Sequence, residues 1–238
     1  MADFDNVPRP GSLSQEHHGK GHRARLRSRL LHSGGDALLD HELIEYLLAL
    51  AIPRRDTKPL AKELLDNFGG LSALLTADGE SIRKFPGMGE TSAAAIKIVQ
   101  AAALRLLSEP VRENPVLTSW QALLDYLRAD MAHLVNERIR VLHLSSKNQL
   151  IRDELVSEGS IDQAAIYTRE VIKRALELGS AAIILVHNHP SGDSTPSRQD
   201  IKITKDICDA GRKLGIAVHD HIIIGKDGHT SFRSKGLI

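Results

Sequence analysis

The chain has 238 residues, 42% of them hydrophobic and 3% aromatic, a formal net charge of +1 and a single cysteine, Cys208. That length suits two modest globular domains, a lone cysteine excludes an internal disulfide, and a charge this close to zero does not by itself argue for nucleic acid. No apolar run approaches about eighteen residues and residues 1–20 lack the apolar core of a signal peptide, so the expectation is a cytoplasmic protein without a membrane segment.

Residues 1–20 are polar, with Pro8, Pro10, Gly11 and the His17-His18 pair, and are expected to form a loose arm. Five basic residues with no acidic one come next, namely Lys20, Arg23, Arg25, Arg27 and Arg29. They suit a phosphate backbone, or equally a solvated helix face or an arm packed on acidic neighbours. Leu39, Leu43, Leu47 and Leu50 then recur at helical spacing behind Asp36 or Asp40 as a cap, and Pro53 ends that helix. Leu60, Leu64 and Leu65 mark a second helix, opened by Asp56 or Thr57 and broken at Phe68-Gly69-Gly70.

A short helix over Glu80 to Lys84, the turn Phe85-Pro86-Gly87-Met88-Gly89 and an alanine-rich helix from Thr91 to Leu107 together read as a helix-hairpin-helix unit. Two glycines permit a turn with positive φ, and amides exposed at the next helix start can meet a phosphate. Gly87, Gly89, Thr91 and Lys97 are the candidate residues for sequence-independent DNA binding. The competing reading is a hairpin that merely packs against Leu64, Leu65 and Leu71. Composition shifts at Ser108-Glu109-Pro110, so residues 21–109 are expected to form a helical domain, 110–115 a linker and 116–238 a second domain.

The second domain opens with a helix from Thr118 or Ser119 to Arg128, carrying Trp120, Leu123, Leu124 and Leu127. Arg138 to Leu144 alternates polar and apolar, which predicts a half-buried strand, and Lys147-Asn148 turns the chain into another from Leu150 to Val156. A helix is expected from Thr168 to Leu178, a buried strand from Ala181 to Val186, a helix from Ser197 to Leu214 and a strand from Ala217 to Ile224. Gly225 to Gly228 then forms a hairpin turn into Thr230 to Phe232. The fold class is α+β: an all-α N-terminal domain, then a mixed sheet flanked by helices.

His187 and His189 continue the buried strand. Side chains two apart on a strand share a face, so both imidazoles can converge on one ion, and neutral imidazole suits zinc. Pro190, Gly192 and Pro196 force a loop, after which Ser197 and Asp200 stand at capping-box spacing. Capping alone would explain that serine and aspartate. The two histidines and Asp200 together would leave a fourth position for water, the mark of a catalytic rather than a structural zinc site.

The order His-x-His, seven residues, Ser, two residues, Asp resembles the JAMM, or MPN-plus, metalloprotease signature. From Val116 to Ile238 the chain is similar to the bacterial RadC family, on His187-Asn188-His189-Pro190-Ser191-Gly192, Pro196-Ser197, Asp200 and the segment Asp220 to Gly225. The helical N-terminal part fits the domain that precedes JAMM in that family. The resemblance implies a JAMM/MPN fold and one Zn2+ ion on His187, His189 and Asp200. It also implies a base at Glu137, just before the first strand, with Glu154, Glu158 and Glu170 as rivals, and Ser197 as an oxyanion donor competing with simple capping.

His219-Asp220-His221 repeats the spacing, but alternation is expected to send both histidines to one face as core or supporting polar groups. Asp193 either contacts a ligand histidine or solvates the loop. His-Asn-His as adjacent letters does not match an HNH nuclease, whose ligands are spread over a ββα unit. The expected activity is hydrolysis of an amide or isopeptide bond in an unknown protein substrate. The alternatives are a DNA-binding repair or recombination accessory, a metal-dependent nuclease, or an adaptor with structural zinc.

Overall fold

The computed structural model describes residues 15–159 and 166–238, with side chains from residue 21 onward. Residues 1–14, most of the expected arm, lie outside the described residues. The chain divides into two compact units, residues 1–99 and 100–238.

The first unit is helical: α1 (Gln15–Ser33), α2 (Asp40–Ala51), α3 (Lys58–Phe68), α4 (Leu71–Thr76), α5 (Gly79–Lys84) and the start of α6 (Glu90–Glu113). Helix α1 already begins at Gln15, so it takes in the last residues assigned to the arm. Ile44, Leu48, Leu60, Leu64, Leu74, Ile82 and Ile96 form the core of this unit. The stripe expected on α2 is out of phase: Ile44 and Leu48 are buried, whereas Leu39 and Leu50 are 64% and 67% exposed. Helix α2 is apolar on more than one side, and packing against α3, which periodicity within one helix cannot report, selects the buried face. Its first turn is closed by Glu42, whose Oε2 accepts from the Leu39 amide at 3.0 Å, and not by Asp36 or Asp40. Helix α3 carries Pro59 in its first turn and ends on Gly69, whose φ of 86° supplies the left-handed cap.

The linker expected over 110–115 is mostly helix, because α6 runs through Pro110 to Glu113. Proline forfeits one bond, to the carbonyl four residues back, and that residue, Leu106, is 70% exposed, so water can take its place. Val111 holds the extension by packing into the core of the second unit.

The second unit contains α7 (Trp120–Met131), β1 (Glu137–Leu144), β2 (Leu150–Gly159), α8 (Thr168–Glu177), β3 (Ala182–Asn188), α9 (Arg198–Lys213), β4 (Ala217–Ile224) and β5 (His229–Ser231). The sheet order is β2-β1-β3-β4-β5. β3 and β4 are parallel, joined through α9, and the other pairs are antiparallel.

All seven residues of β3 are buried because both sheet faces are covered, which is why this strand reads as an unbroken apolar run. Ile184 and Val186 pack with Leu123, Leu127 and Met131 of α7 on one face. Ile183 and Leu185 pack with Val171, Ile172 and Ala175 of α8 and Ile207 of α9 on the other. Burying each such side chain contributes roughly 1.5–3 kcal/mol, so the central strand is a firm mount for the loop at its C-terminal end.

Candidate metal centre

Alternation along β3 carries His187 onto the α8/α9 face, where it is 2% exposed, and His189 stands two residues further on. Asp200 enters from the first turn of α9. His187 Nε2 lies 3.0 Å from His189 Nε2 and 3.4 Å from Asp200 Oδ1, and His189 Nε2 lies 3.6 Å from Asp200 Oδ2. Two donors bound at 2.0–2.1 Å to one tetrahedral zinc stand about 3.3 Å apart, so the three separations suit a single small cation. His187, His189 and Asp200 are the group that fits a metal ion among the described residues.

The hydrogen bonds behind the histidines fix which nitrogens carry protons. A carbonyl only accepts, so Thr204 Oγ1 donates to Asp200 O and is left to accept from His221 Nδ1, 2.6 Å away. His221 Nε2 is then bare and accepts from His187 Nδ1 at 2.8 Å. His187 Nε2 is therefore an unprotonated lone pair. His189 reaches the same state by a separate route, its Nδ1 donating to the Asp193 carbonyl at 2.7 Å. Two bare nitrogens facing each other at 3.0 Å repel unless a metal ion or a proton lies between them, and this is the test that the donor set passes.

The electrostatics agree. Burial lowers the His187 pKa to about 4 and holds His221 well below the ordinary imidazole range. Hydrogen bonding to Asp200 raises that of His189, against the effect of burial. Burial alone would raise Asp200, but hydrogen bonding with His189 and Ser197 keeps it well below the usual carboxylate range.

The loop from 189 to 196 is fixed against the β4–β5 turn. His189 N donates to Ile224 O at 2.9 Å and Lys226 N to Gly192 O at 3.0 Å. Gly225 must lack a side chain, since a Cβ there would come within 2.3 Å of Gly192 O. Ser197 and Asp200 complete their capping box, with Asp200 N donating to Ser197 Oγ at 3.1 Å and Ser197 N to Asp200 Oδ2 at 2.7 Å. The capping reading and the ligand reading thus hold together, because one carboxylate serves the helix start and faces the histidines. Asp193 also does both things expected of it: its carbonyl holds His189 while its carboxylate accepts from Thr195 N and Oγ1 within the loop.

Glu137 lines the same cleft as His187, His189, Ser197 and Asp200. Burial raises its pKa, opposed by His189 and aided by Asp200. The rivals are committed elsewhere: Glu154 to Arg174 at 2.8 Å, Glu158 to Arg138 at 2.9 Å and Glu170 to Arg169 at 3.0 Å.

The second His-x-His is not on one face. A bulge opposes Ile183 and Ile184 to Val218 and Asp220, leaving His219 out of register. His219 Nε2 consequently meets Asn148 Oδ1 at 2.7 Å, and His221 alone turns to the metal side, with the Phe232 ring 4.6 Å away centre to centre. Two contributors escaped the sequence reading. Thr204 lies four residues after Asp200 on the same helix, a spacing that could have flagged it. Asn188 read as a mere spacer between the ligands.

The candidate nucleic-acid residues of the helical unit are placed differently. Only Gly87 of the two hairpin glycines has positive φ, 85°. Its carbonyl accepts from Arg55 Nη1 at 3.1 Å. The Gly89 amide donates to Ser92 Oγ at 2.8 Å, and Lys97 Nζ donates to Ala77 O at 2.9 Å, with burial lowering its pKa. Thr91 is exposed in the first turn of α6. In the basic stretch, Arg23 donates to Pro53 O and Arg55 O, and Arg29 pairs with Glu42 at 2.7 and 2.9 Å, whereas Arg25 and Arg27 are exposed. No helix among the described residues is long and apolar enough to cross a membrane.

A mixed sheet with helices on both faces, two histidines at a central strand end and a carboxylate on the next helix define a metal-binding domain of the JAB, or MPN, hydrolase type. The chain belongs to the RadC-like JAB domain family, which it matches over residues 117–237. Residues 21–94 match the UPF0758 N-terminal family.

Proposed function

We propose that the chain is a zinc-dependent hydrolase that cleaves an amide or isopeptide bond in a protein substrate. One observation carries this reading: the Nε2 atoms of His187 and His189 and the Asp200 carboxylate meet at one point, and a second carboxylate, Glu137, shares their cleft. His187, His189 and Asp200 would hold the zinc ion, which would supply Lewis acidity at this point of the cleft.

The remaining work falls to the chain. Glu137 accepts the proton from the attacking water on its carboxylate and delivers it to the leaving nitrogen, a task that suits a carboxyl group whose pKa burial has raised. Ser197 accepts the Asp200 amide with an oxygen lone pair and offers its hydroxyl proton to the developing oxyanion, so capping and donation use different parts of one group. The cleft, about 1020 Å³, is lined by Ile139, Leu185 and Ile203 with Arg198 and Lys202. That size lies at the upper end of small-molecule pockets and suits an extended peptide segment.

Glu137→Gln is expected to keep one zinc per chain and to slow hydrolysis of lysine-linked isopeptides by about 10²–10⁴-fold. An unchanged rate would remove Glu137 from the chemistry. The alternative, a DNA-binding accessory or nuclease without peptidase activity, draws on exposed Arg25 and Arg27. It requires duplex affinity that falls steeply with salt.

A further inference from the structure

Asn188, between the two ligand histidines, points away from them and is 1% exposed. Both ends of its side-chain amide are engaged at the start of β1: Oδ1 accepts from Arg138 N at 2.8 Å and Nδ2 donates to Asn136 O at 3.0 Å. The orientation is unambiguous, since a peptide N–H can only donate and a peptide oxygen can only accept.

Those two peptide groups flank Glu137. The backbone ladder between β1 and β3 is registered from Leu144↔Ala182 only as far as Ile139↔His187. Beyond that pair the side chain of Asn188 takes over, reaching the carbonyl before Glu137 and the amide after it, as a parallel neighbour strand would bracket a central residue. On its other edge Glu137 is registered with Gly159 of β2. Continuing the β1–β3 register by two residues sets Glu137 opposite His189, in keeping with the charge coupling between them.

We infer that Asn188 is a positioning residue that clamps the peptides on either side of Glu137 and thereby holds its carboxylate against the metal centre. Asparagine combines a donor and an acceptor on one short planar group, which this bracket needs. Serine cannot span both partners. Aspartate keeps the acceptor for Arg138 N but sets an oxygen against the Asn136 carbonyl. The same residue therefore connects the ligand strand to the acid–base group without touching metal or substrate.

The inference rests on Glu137 being the acid–base group, so the experiment separates the two claims. Full-length wild type, Glu137→Gln, Asn188→Ser, Asn188→Asp and the double variant Asn188→Ser/Glu137→Gln are loaded with Co2+. The visible absorption spectrum, Co2+ affinity and amide exchange at residues 136–138 are then measured. Both Asn188 variants are expected to bind Co2+ within about threefold of wild type, a smaller change than the 10–100-fold typical of groups that support the ligands themselves. They should also speed exchange at Arg138 and shift the spectrum in the direction that Glu137→Gln does, with no further shift in the double variant.

Faster exchange with a wild-type spectrum in both Asn188 variants, while Glu137→Gln shifts it, overturns the positioning role and leaves the Glu137 assignment standing. A wild-type spectrum in Glu137→Gln overturns that assignment and this inference with it. If Asn188→Ser does not fold, the isosteric Asn188→Asp decides by the same readings.

Discussion

The metal centre at the end of β3 and the hairpin between α5 and α6 both began as short motifs whose spacing suggested a ligand. In the hairpin, two of the candidate groups are engaged inside the unit, the Gly89 amide by Ser92 and Lys97 by the Ala77 carbonyl, while Thr91 is exposed. At the metal centre the internal bonds have the opposite effect. The chain from Asp200 O through Thr204 and His221 engages Nδ1 of His187, and Asp193 O engages Nδ1 of His189, so both imidazoles turn Nε2 toward Asp200. A motif becomes a site when the surrounding bonds leave its chemistry unspent, and spacing alone does not report that.

Removing a ligand should break this comparison most visibly. His187→Ala is expected to reduce zinc affinity by more than the roughly 100-fold upper bound for supporting groups, measured by chelator competition. Unchanged zinc content would dismiss the site. Next in size is Thr204→Val, which is nearly isosteric but ends the donor relay; affinity should fall about 10–100-fold with the fold intact by circular dichroism.

Proton competition gives a smaller, graded effect. His189 has a raised pKa and takes up a proton as pH falls through it, so zinc affinity should drop about tenfold per pH unit below that point and level off above it. A flat profile between pH 5 and 8 would contradict a shared proton and metal position. The smallest effect concerns the hairpin. Lys97→Met should lower stability by about 1 kcal/mol through the lost bond to Ala77 O, while leaving duplex DNA affinity and its salt slope unchanged. A reduced salt slope would return Lys97 to the phosphate-binding reading.

Much of the metal centre was legible because its signals are local. The apolar run of β3, the glycines and prolines of the loop and the Ser197–Asp200 spacing each act within a few residues, and strand β4 falls at Ala217–Ile224 as read. What escaped depends on partners distant in sequence. The buried face of α2 is chosen by α3, and helix α4, six residues long, is too short to show a period. Pro110 continues a helix because the residue four back, Leu106, is exposed, so water can replace the missing donor. The bulge at His219 is invisible to alternation, and the uses of Thr204 and Asn188 appear only once strands and helix are assembled.

The relay that begins at His187 ends on the backbone of Asp200, so both of its ends belong to residues of the candidate metal group. A cation seated there closes a ring through β3, β4 and α9, joining the two parallel strands to the helix that connects them. Metal occupancy would then also be a mechanical variable: at a free cation concentration 100 times its dissociation constant, binding would add about 2.7 kcal/mol to the folded state. An ion at that point would tighten the crossover that builds the sheet.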